Sequence, residues 1–380
     1  MHSNRAGFFM KQPSGYVAFI PNPLPPEPPI FVDDEMFKLL SDADRKLGRL
    51  DGITQILPNP DLFVAMYVQK EAVLSSQIEG TQASLIDVLG QEDGNHEKKE
   101  HIDEVVNYVH AMKYGLERLS TLPLCLRSLK EIHSKLLKDG RGSSKNPGEF
   151  RSTQNWIGPA GCDLLNATFV PPPVPEMHEA LGQLEKFLHS DDNIPSLIKI
   201  GLIHAQFETI HPFLDGNGRV GRLLITFWLC QQEILSQPLL YLSYYFKQNR
   251  LEYYDRLMAV RTKGDWEGWL KFFLKGIAQV SDESINSAKE IIKLRDQYTK
   301  IVHQKKKTSY QKLLDILFEH PILTTTKASE LLDITYPTAN SIINDFCHWG
   351  ILKPRDPSKK RNQNYVFHRY IEILQRGTEL

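Results

Sequence analysis

Apolar residues recur at helical spacing along most of the chain, and the clearest pattern lies just past its middle. Val220, Leu223, Leu224, Phe227 and Trp228 fall at i, i+3, i+4, i+7 and i+8, which predicts a helix with one apolar face. Arg219 and Arg222, three apart, share the opposite face. A second helical pattern, 195–210, runs into the same place from the other side, so the residues between form a tight polar loop joining two helices. Further helices are expected over 34–50, 61–78, 101–119, 126–137, 175–189 and 249–260. A long one follows over 266–302, about nine turns by helical rise, expected to carry the chain away from the central bundle. Residues 21–29 hold six prolines and read as an extended arm, either a rigid tether or a docking motif for a proline-binding partner.

The loop carries candidate chemistry. Gly216 and Gly218 bracket Asn217, and glycines let successive backbone N–H groups converge on one concavity at a helix N-terminus, where the helix dipole favours an anion. Arg219 and Arg222 add forked donors, which suits a polyphosphate better than a single carboxylate. Asp215 is a hard oxygen ligand of the kind that holds Mg²⁺ beside substrate phosphates. His211, at the mouth of the loop, is the natural base for a hydroxyl proton.

The run His211-Pro212-Phe213-Leu214-Asp215-Gly216-Asn217-Gly218-Arg219-Val220-Gly221-Arg222 resembles the full signature of the Fic family, whose well-studied members transfer AMP from ATP to a protein hydroxyl. The resemblance implies an ATP site at Gly216, Asn217, Gly218, Arg219, Val220, Gly221 and Arg222. In the implied roles, Asn217 orients the α-phosphate, the two arginines hold the β- and γ-phosphates, and Mg²⁺ sits on Asp215. His211 is the implied base toward Ser, Thr or Tyr.

Ser75 and Glu79 lie four apart on one helical face, and by physics alone Glu79 is only a helix-terminal acid. The run Ser75-Ser76-Gln77-Ile78-Glu79-Gly80 nevertheless resembles the inhibitory helix motif of the same family. This implies that Ser75, Glu79 and Gly80 form an N-terminal inhibitor whose carboxylate pairs bidentately with Arg222 and displaces the γ-phosphate. Between 140 and 175 the helical period stops, and two short strands around a glycine-rich turn are expected. That place is similar to the target-docking flap of the family, with Ile157 and Gly158 positioning the incoming hydroxyl; an ordinary hairpin before a helix reads the same way. Tyr253 and Tyr254 are either core aromatics or, by resemblance, contacts of the nucleotide base or ribose. His101, His110 and His133 read as packing or surface residues.

Residues 308–380 read as a separate module resembling a winged helix-turn-helix. Tyr336, Thr338, Asn340, Ser341 and Asn344 are candidates for a DNA groove, with Arg355, Lys359, Lys360 and Arg361 at the tip of a basic wing. Protein contact or dimerisation with a second copy reads equally well. A formal net charge of −1 argues against a chain-wide nucleic-acid footprint.

The 41% hydrophobic and 24% charged content is that of a globular protein. Cys125, Cys162, Cys230 and Cys347 show no ligand spacing, and the longest apolar run, 223–230, is too short to cross a bilayer. Both point to a cytoplasmic protein that does not engage membrane. The expected fold is therefore mainly α: a Fic-type helical core (96–303) with a small β-hairpin flap, an N-terminal arm and inhibitory region (1–95), and a C-terminal winged-helix domain (308–380). The expected function is autoinhibited protein adenylyltransfer with ATP and Mg²⁺, acting on target proteins and on itself. The alternative is a nucleotide-sensing DNA-binding regulator.

Overall fold

The computed structural model describes residues 4–54, 60–90, 96–140, 142–159, 161–359 and 363–380. An N-terminal hairpin pairs β1 (Gly7–Lys11) with β2 (Val17–Pro21), Phe9 opposite Phe19. The sequence reading had missed it. Phe19 is fully buried, and its N–H donates to Val170 O at 2.9 Å, which fastens the hairpin beside the segment leading to the site. The proline arm follows as a tether. Arg5 donates to the carbonyls of Pro28 (2.7 Å) and Pro29 (2.8 Å) and to both oxygens of Glu267 (2.7 and 2.8 Å).

Ten of the helices form the body: α1 (Asp34–Thr54), α2 (Pro60–Ile78), α3 (Leu85–Leu89), α4 (His96–Leu119), α5 (Leu126–Leu136), α6 (Val174–Leu188), α7 (Ser196–Ile210), α8 (Asn217–Gln231), α9 (Ser243–Gln248) and α10 (Arg250–Lys263). Expected boundaries moved by a few residues, and 249–260 proved to be α10 preceded by the short α9. The central element is α7, buried from Leu197 to Ile210 and apolar nearly all round, as a helix enclosed by others must be. Its neighbours include α6, α8, α10 and α11 (Trp266–Val302).

α11 corrects an expectation. Instead of leading away, it packs along α1, α7, α9 and α10, burying Trp266, Trp269, Phe272, Phe273 and Ile277, because its N-terminal half is apolar on the faces turned to those helices. Asp265 caps it by accepting from Gly268 N–H at 3.0 Å. Close approach of α4 and α8 needs Gly115, where a Cβ would lie 2.2 Å from the buried Phe227 ring.

The C-terminal unit comprises α12 (Thr308–Glu319), β3 (Ile322–Thr324), α13 (Thr325–Leu332), α14 (Tyr336–His348), β4 (Lys353–Pro354), β5 (Asn364–Val366) and α15 (His368–Gln375). Its antiparallel sheet has the order β3-β5-β4. The unit is not detached from the body. Gln77 on α2 donates to Thr378 O at 2.9 Å, and Lys247 Nζ donates to Gly377 O at 3.3 Å and to Glu379 O. Lys360 and Arg361 lie outside the described residues. No helix of the described residues is long and apolar enough to cross a membrane.

Candidate functional site

His211 ends α7 in the left-handed region, φ 50° and ψ 60°, with its N–H bonded to Phe207 O at 2.9 Å. The loop after it is held from three sides. Arg151, fully buried, donates from Nε to His211 O (3.0 Å) and from its backbone N–H to Pro212 O (2.9 Å). Asn155 Nδ2 donates to His211 O (3.1 Å) and Phe213 O (2.9 Å). His133 accepts from Gly148 N–H at Nδ1 (2.9 Å), so its Nε2 carries the proton that bonds Asp215 O (3.0 Å), and its ring stacks on Phe213 at 3.8 Å. Burial lowers the His133 pKa to about 4 and keeps the ring neutral.

α8 starts at Gly216, φ 78°. Its first intrahelical bond runs from Val220 N–H to Gly216 O at 3.0 Å, which leaves the N–H groups of Asn217, Gly218 and Arg219 without an intrahelical partner at the positive end of the dipole. The Asn217 side chain is bonded within the loop. Its Oδ1 accepts from Phe213 N–H and its Nδ2 donates to Phe213 O, both at 2.8 Å, so the amide closes the loop and keeps one Nδ2–H beyond these bonds. Val220 is fully buried with its N–H already bonded, which withdraws it from nucleotide contact.

Arg222 meets the N-terminal region as expected, with one difference. Nη2 donates to Glu79 Oε1 at 2.7 Å, a single hydrogen bond and not a fork, because Nε goes to Ser75 Oγ (2.8 Å) and Nη2 also reaches Ser75 O (2.9 Å). Burial works hardest against the charge on Arg222, but the Glu79 carboxylate, joined by Tyr253, Tyr254 and Glu208, together outweighs it and the pKa is raised. Burial also opposes the Glu79 charge, and Arg222 in turn holds its pKa below the ordinary value. The same carboxylate covers the anion cradle: a Cβ on Gly218 would lie 2.3 Å from Glu79 Oε1. Gly80 then turns the chain at φ 94°.

Arg219 is buried, with Nη2 3.4 Å from Asp215 Oδ1 and Nη1 3.8 Å from Glu104. Its Nε and Nη1 make no hydrogen bond among the described residues. Asp215 Oδ1 also accepts from Gly216 N–H at 2.6 Å, and its side chain stays 26% exposed, open to a ligand from solvent.

A cavity of about 490 Å³ opens in front of these groups. Glu79, Gly218, Arg222 and His211 line it, together with Ile157 and Gly158 of the flap and Tyr253 and Tyr254 of α10. Asp215, Gly216, Asn217, Arg219, Val220 and Gly221 lie outside its lining. Among the described residues the flap is a single antiparallel bridge, Ile157 N–H to Phe169 O at 2.8 Å and Phe169 N–H to Ile157 O at 3.0 Å, not the two strands expected, since prolines from 171 onward lack the N–H groups to extend it. Tyr253 OH bonds the buried His204 at 2.9 Å, so Tyr253 supports the wall, whereas Tyr254 is 37% exposed and faces the opening.

Burial, followed by the charge of Arg261, pushes His211 down to about 3, so its imidazole is neutral at pH 7. Arg261 donates from Nη2 to Glu208 O at 3.0 Å and stands 4.0 Å over the Phe169 ring, tying α7 to the flap. Arg151, Asn155, Arg261 and Glu208 went unnoticed in sequence. Arg151, Asn155 and Arg261 lie outside the patterned run that leads into the loop, and only folding brings them to it; Glu208 lies in that run, but its spacing alone gives it no role. His133, taken there as a packing or surface residue, is a loop support.

A family model described as Fic/DOC family N-terminal matches residues 37–117, and one described as Fic/DOC family matches 123–229, which includes the whole loop. The chain belongs to the Fic/DOC family. Among its relatives are the protein adenylyltransferase Fic of Drosophila grimshawi, 28% identical over 187 residues, or 48% of this chain and 34% of that protein. That of Culex quinquefasciatus is 26% identical over 201 residues, 52% of this chain and 35% of that protein. The match thus spans about a third of the length of these relatives. A Fic family protein from Desulfovibrio desulfuricans G20 shares the fold with a TM-score of 0.58 at 19% identity, over 89% of this chain and 97% of that one. A Fic domain-containing signalling protein from Bacteroides thetaiotaomicron VPI-5482 does so with a TM-score of 0.52 at 18% identity, over 65% and 97%.

Proposed function

We propose that the chain is a protein adenylyltransferase that moves AMP from ATP to a Ser, Thr or Tyr hydroxyl of a target protein or of itself, held off by Glu79. The observation that carries the reading is the Glu79 carboxylate on Arg222 and against Gly218, an anion already seated where a phosphate belongs. Names of the relatives supply AMP as the transferred group. In this reading the base and ribose rest toward Tyr254, and the phosphates lie on the N–H groups that open α8 with Arg219 and Arg222 beside them. The partly exposed carboxylate of Asp215 fits Mg²⁺, which is commonly held by one or two carboxylates and substrate phosphates and would neutralise phosphate charge there. Ile157, with free edge positions beside its one bridge, would align a target segment.

The hydroxyl proton passes to His211, its oxygen bonds the α-phosphorus, and the bond to the β-phosphate oxygen breaks, releasing pyrophosphate with the electron pair. Positioning and charge stabilisation carry most of the rate. In an active Glu79→Gly variant, label should pass to protein from α-³²P-ATP and not from γ-³²P-ATP. The reverse preference would make the reaction phosphate transfer and overturn the reading.

Residues 308–380 support a second role as a winged helix-turn-helix, by their helix and strand order and by α14, where Tyr336, Thr338, Ser341 and Asn344 are exposed and Asn340 half-buried. If this face binds DNA, the full chain should retard a duplex, and Lys353→Ala/Arg355→Ala should weaken retardation across all sequences. No retardation at low salt leaves the face to protein contact or to a second copy. Four free cysteines accord with a reducing, cytoplasmic setting.

A further inference from the structure

Glu208 is a buried carboxylate on α7, one turn before His211, and nothing in the loop signature uses it. Its side chain is 8% exposed and borders the cavity. Oε2 lies 4.0 Å from His211 Nδ1, and the backbone carbonyl of the same residue lies 3.4 Å from that nitrogen. Oε1 takes no hydrogen bond among the described residues. A buried acceptor left unsatisfied is destabilising, and such groups need an account. Room for it comes from α8: a Cβ on Gly221 would be 2.3 Å from Oε1, so this glycine clears the carboxylate's seat instead of touching nucleotide.

Resting on the transfer reading above, we propose that Glu208 is the positioning residue of His211: its backbone and carboxylate oxygens orient the imidazole from the Nδ1 side, and the carboxylate offsets the charge the ring gains when Nε2 accepts the target hydroxyl's proton. With Nδ1–H turned to Glu208, the Nε2 lone pair is the one left for the hydroxyl. Such help is needed here, because the ring must become cationic in a buried place that already faces Arg261. The groups around Glu208 are Glu79 just past the end of α2, Arg222 on α8, Arg261, Tyr253 and Tyr254 on α10, and His211 itself. Burial pushes Glu208 up to about 7; Arg222 opposes this, while Glu79 adds to it. Removing Glu79 therefore favours the ionised form of Glu208, while it also takes away an anion that supports protonated His211.

The test compares full chains carrying Glu79→Gly alone, with Glu208→Gln and with Glu208→Asp, using α-³²P-ATP between pH 5 and 9. The amide should lower kcat about tenfold or more, leave KM for ATP within about twofold, and move the acidic limb of the pH profile down by about one unit. Sign follows from charge: losing a nearby anion lowers the pKa of the imidazole and removes the need to ionise Glu208. Aspartate, which keeps the charge, should retain the limb and recover part of kcat. ¹⁵N-histidine spectra of the same chains should show His211 leaving the Nδ1–H tautomer in the amide variant. An unmoved pH limb, or an unchanged tautomer, overturns the proposal. If Glu79→Gly alone transfers no label, the transfer reading fails, while the spectra still decide the His211–Glu208 pairing.

Discussion

Glu79→Gly is expected to raise label transfer from α-³²P-ATP to protein roughly ten- to a hundredfold. The size follows from the hydrogen bond it removes: one to a charged group contributes about 1.5–3 kcal/mol, and 1.4 kcal/mol is about tenfold in an equilibrium. Two effects act together. Arg222 Nη2 loses the carboxylate at 2.7 Å, and the space beside Gly218 is vacated. Ser75 remains, holding Arg222 through Nε at 2.8 Å, so the guanidinium stays aimed and does not spend binding energy on ordering itself. Glu79 follows the end of α2, beside Gly80, where a glycine costs little helical order. Equal labelling by the wild type and the variant, with equal ATP affinity by calorimetry, would show that Glu79 does not guard the site.

Loss of the His211 imidazole should lower transfer by about 10²–10⁴-fold, the range of general-base catalysis, while ATP affinity stays within about threefold. The substitution has to respect the backbone. At φ 50° an alanine is strained by roughly 1–2 kcal/mol, whereas asparagine visits this region readily, so His211→Asn separates lost chemistry from a displaced loop. The carbonyl of residue 211 would keep its bonds from Arg151 and Asn155 in either variant. Both changes are best read in the Glu79→Gly background. Residual full activity in His211→Asn would remove the imidazole from the base role.

Much of the architecture was legible because it is written in local periodicity. The apolar stripe from Val220 to Trp228 and the glycines at 216 and 218 announced a helix and its loop without any knowledge of what packs against them. The Ser75 and Glu79 spacing likewise marked a helical face that proved to reach Arg222. Other parts were illegible for a specific reason. The β1–β2 hairpin is short and its pairing is set by contacts with residues near 170, far along the chain. The direction of α11 could not be read from its length, because a long amphipathic helix serves equally as a spine or as a spacer until its partners are known.

The same division holds within the site. Sequence alone determined the local chemistry: an imidazole before a glycine nest, a carboxylate in the loop and two arginines one turn apart. These depend on spacings of a few residues, which a helix or turn converts directly into geometry. Tertiary structure decided which groups are free to act. It tied the Asn217 amide to Phe213, buried Val220, set Glu79 upon Gly218, and brought Arg151, His133 and Arg261 to hold the loop. It also set a buried carboxylate, Glu208, beside the ring of His211. Burial and hydrogen-bond partners come from elements far apart in the chain, and they alone fix whether a polar group is engaged, charged or available.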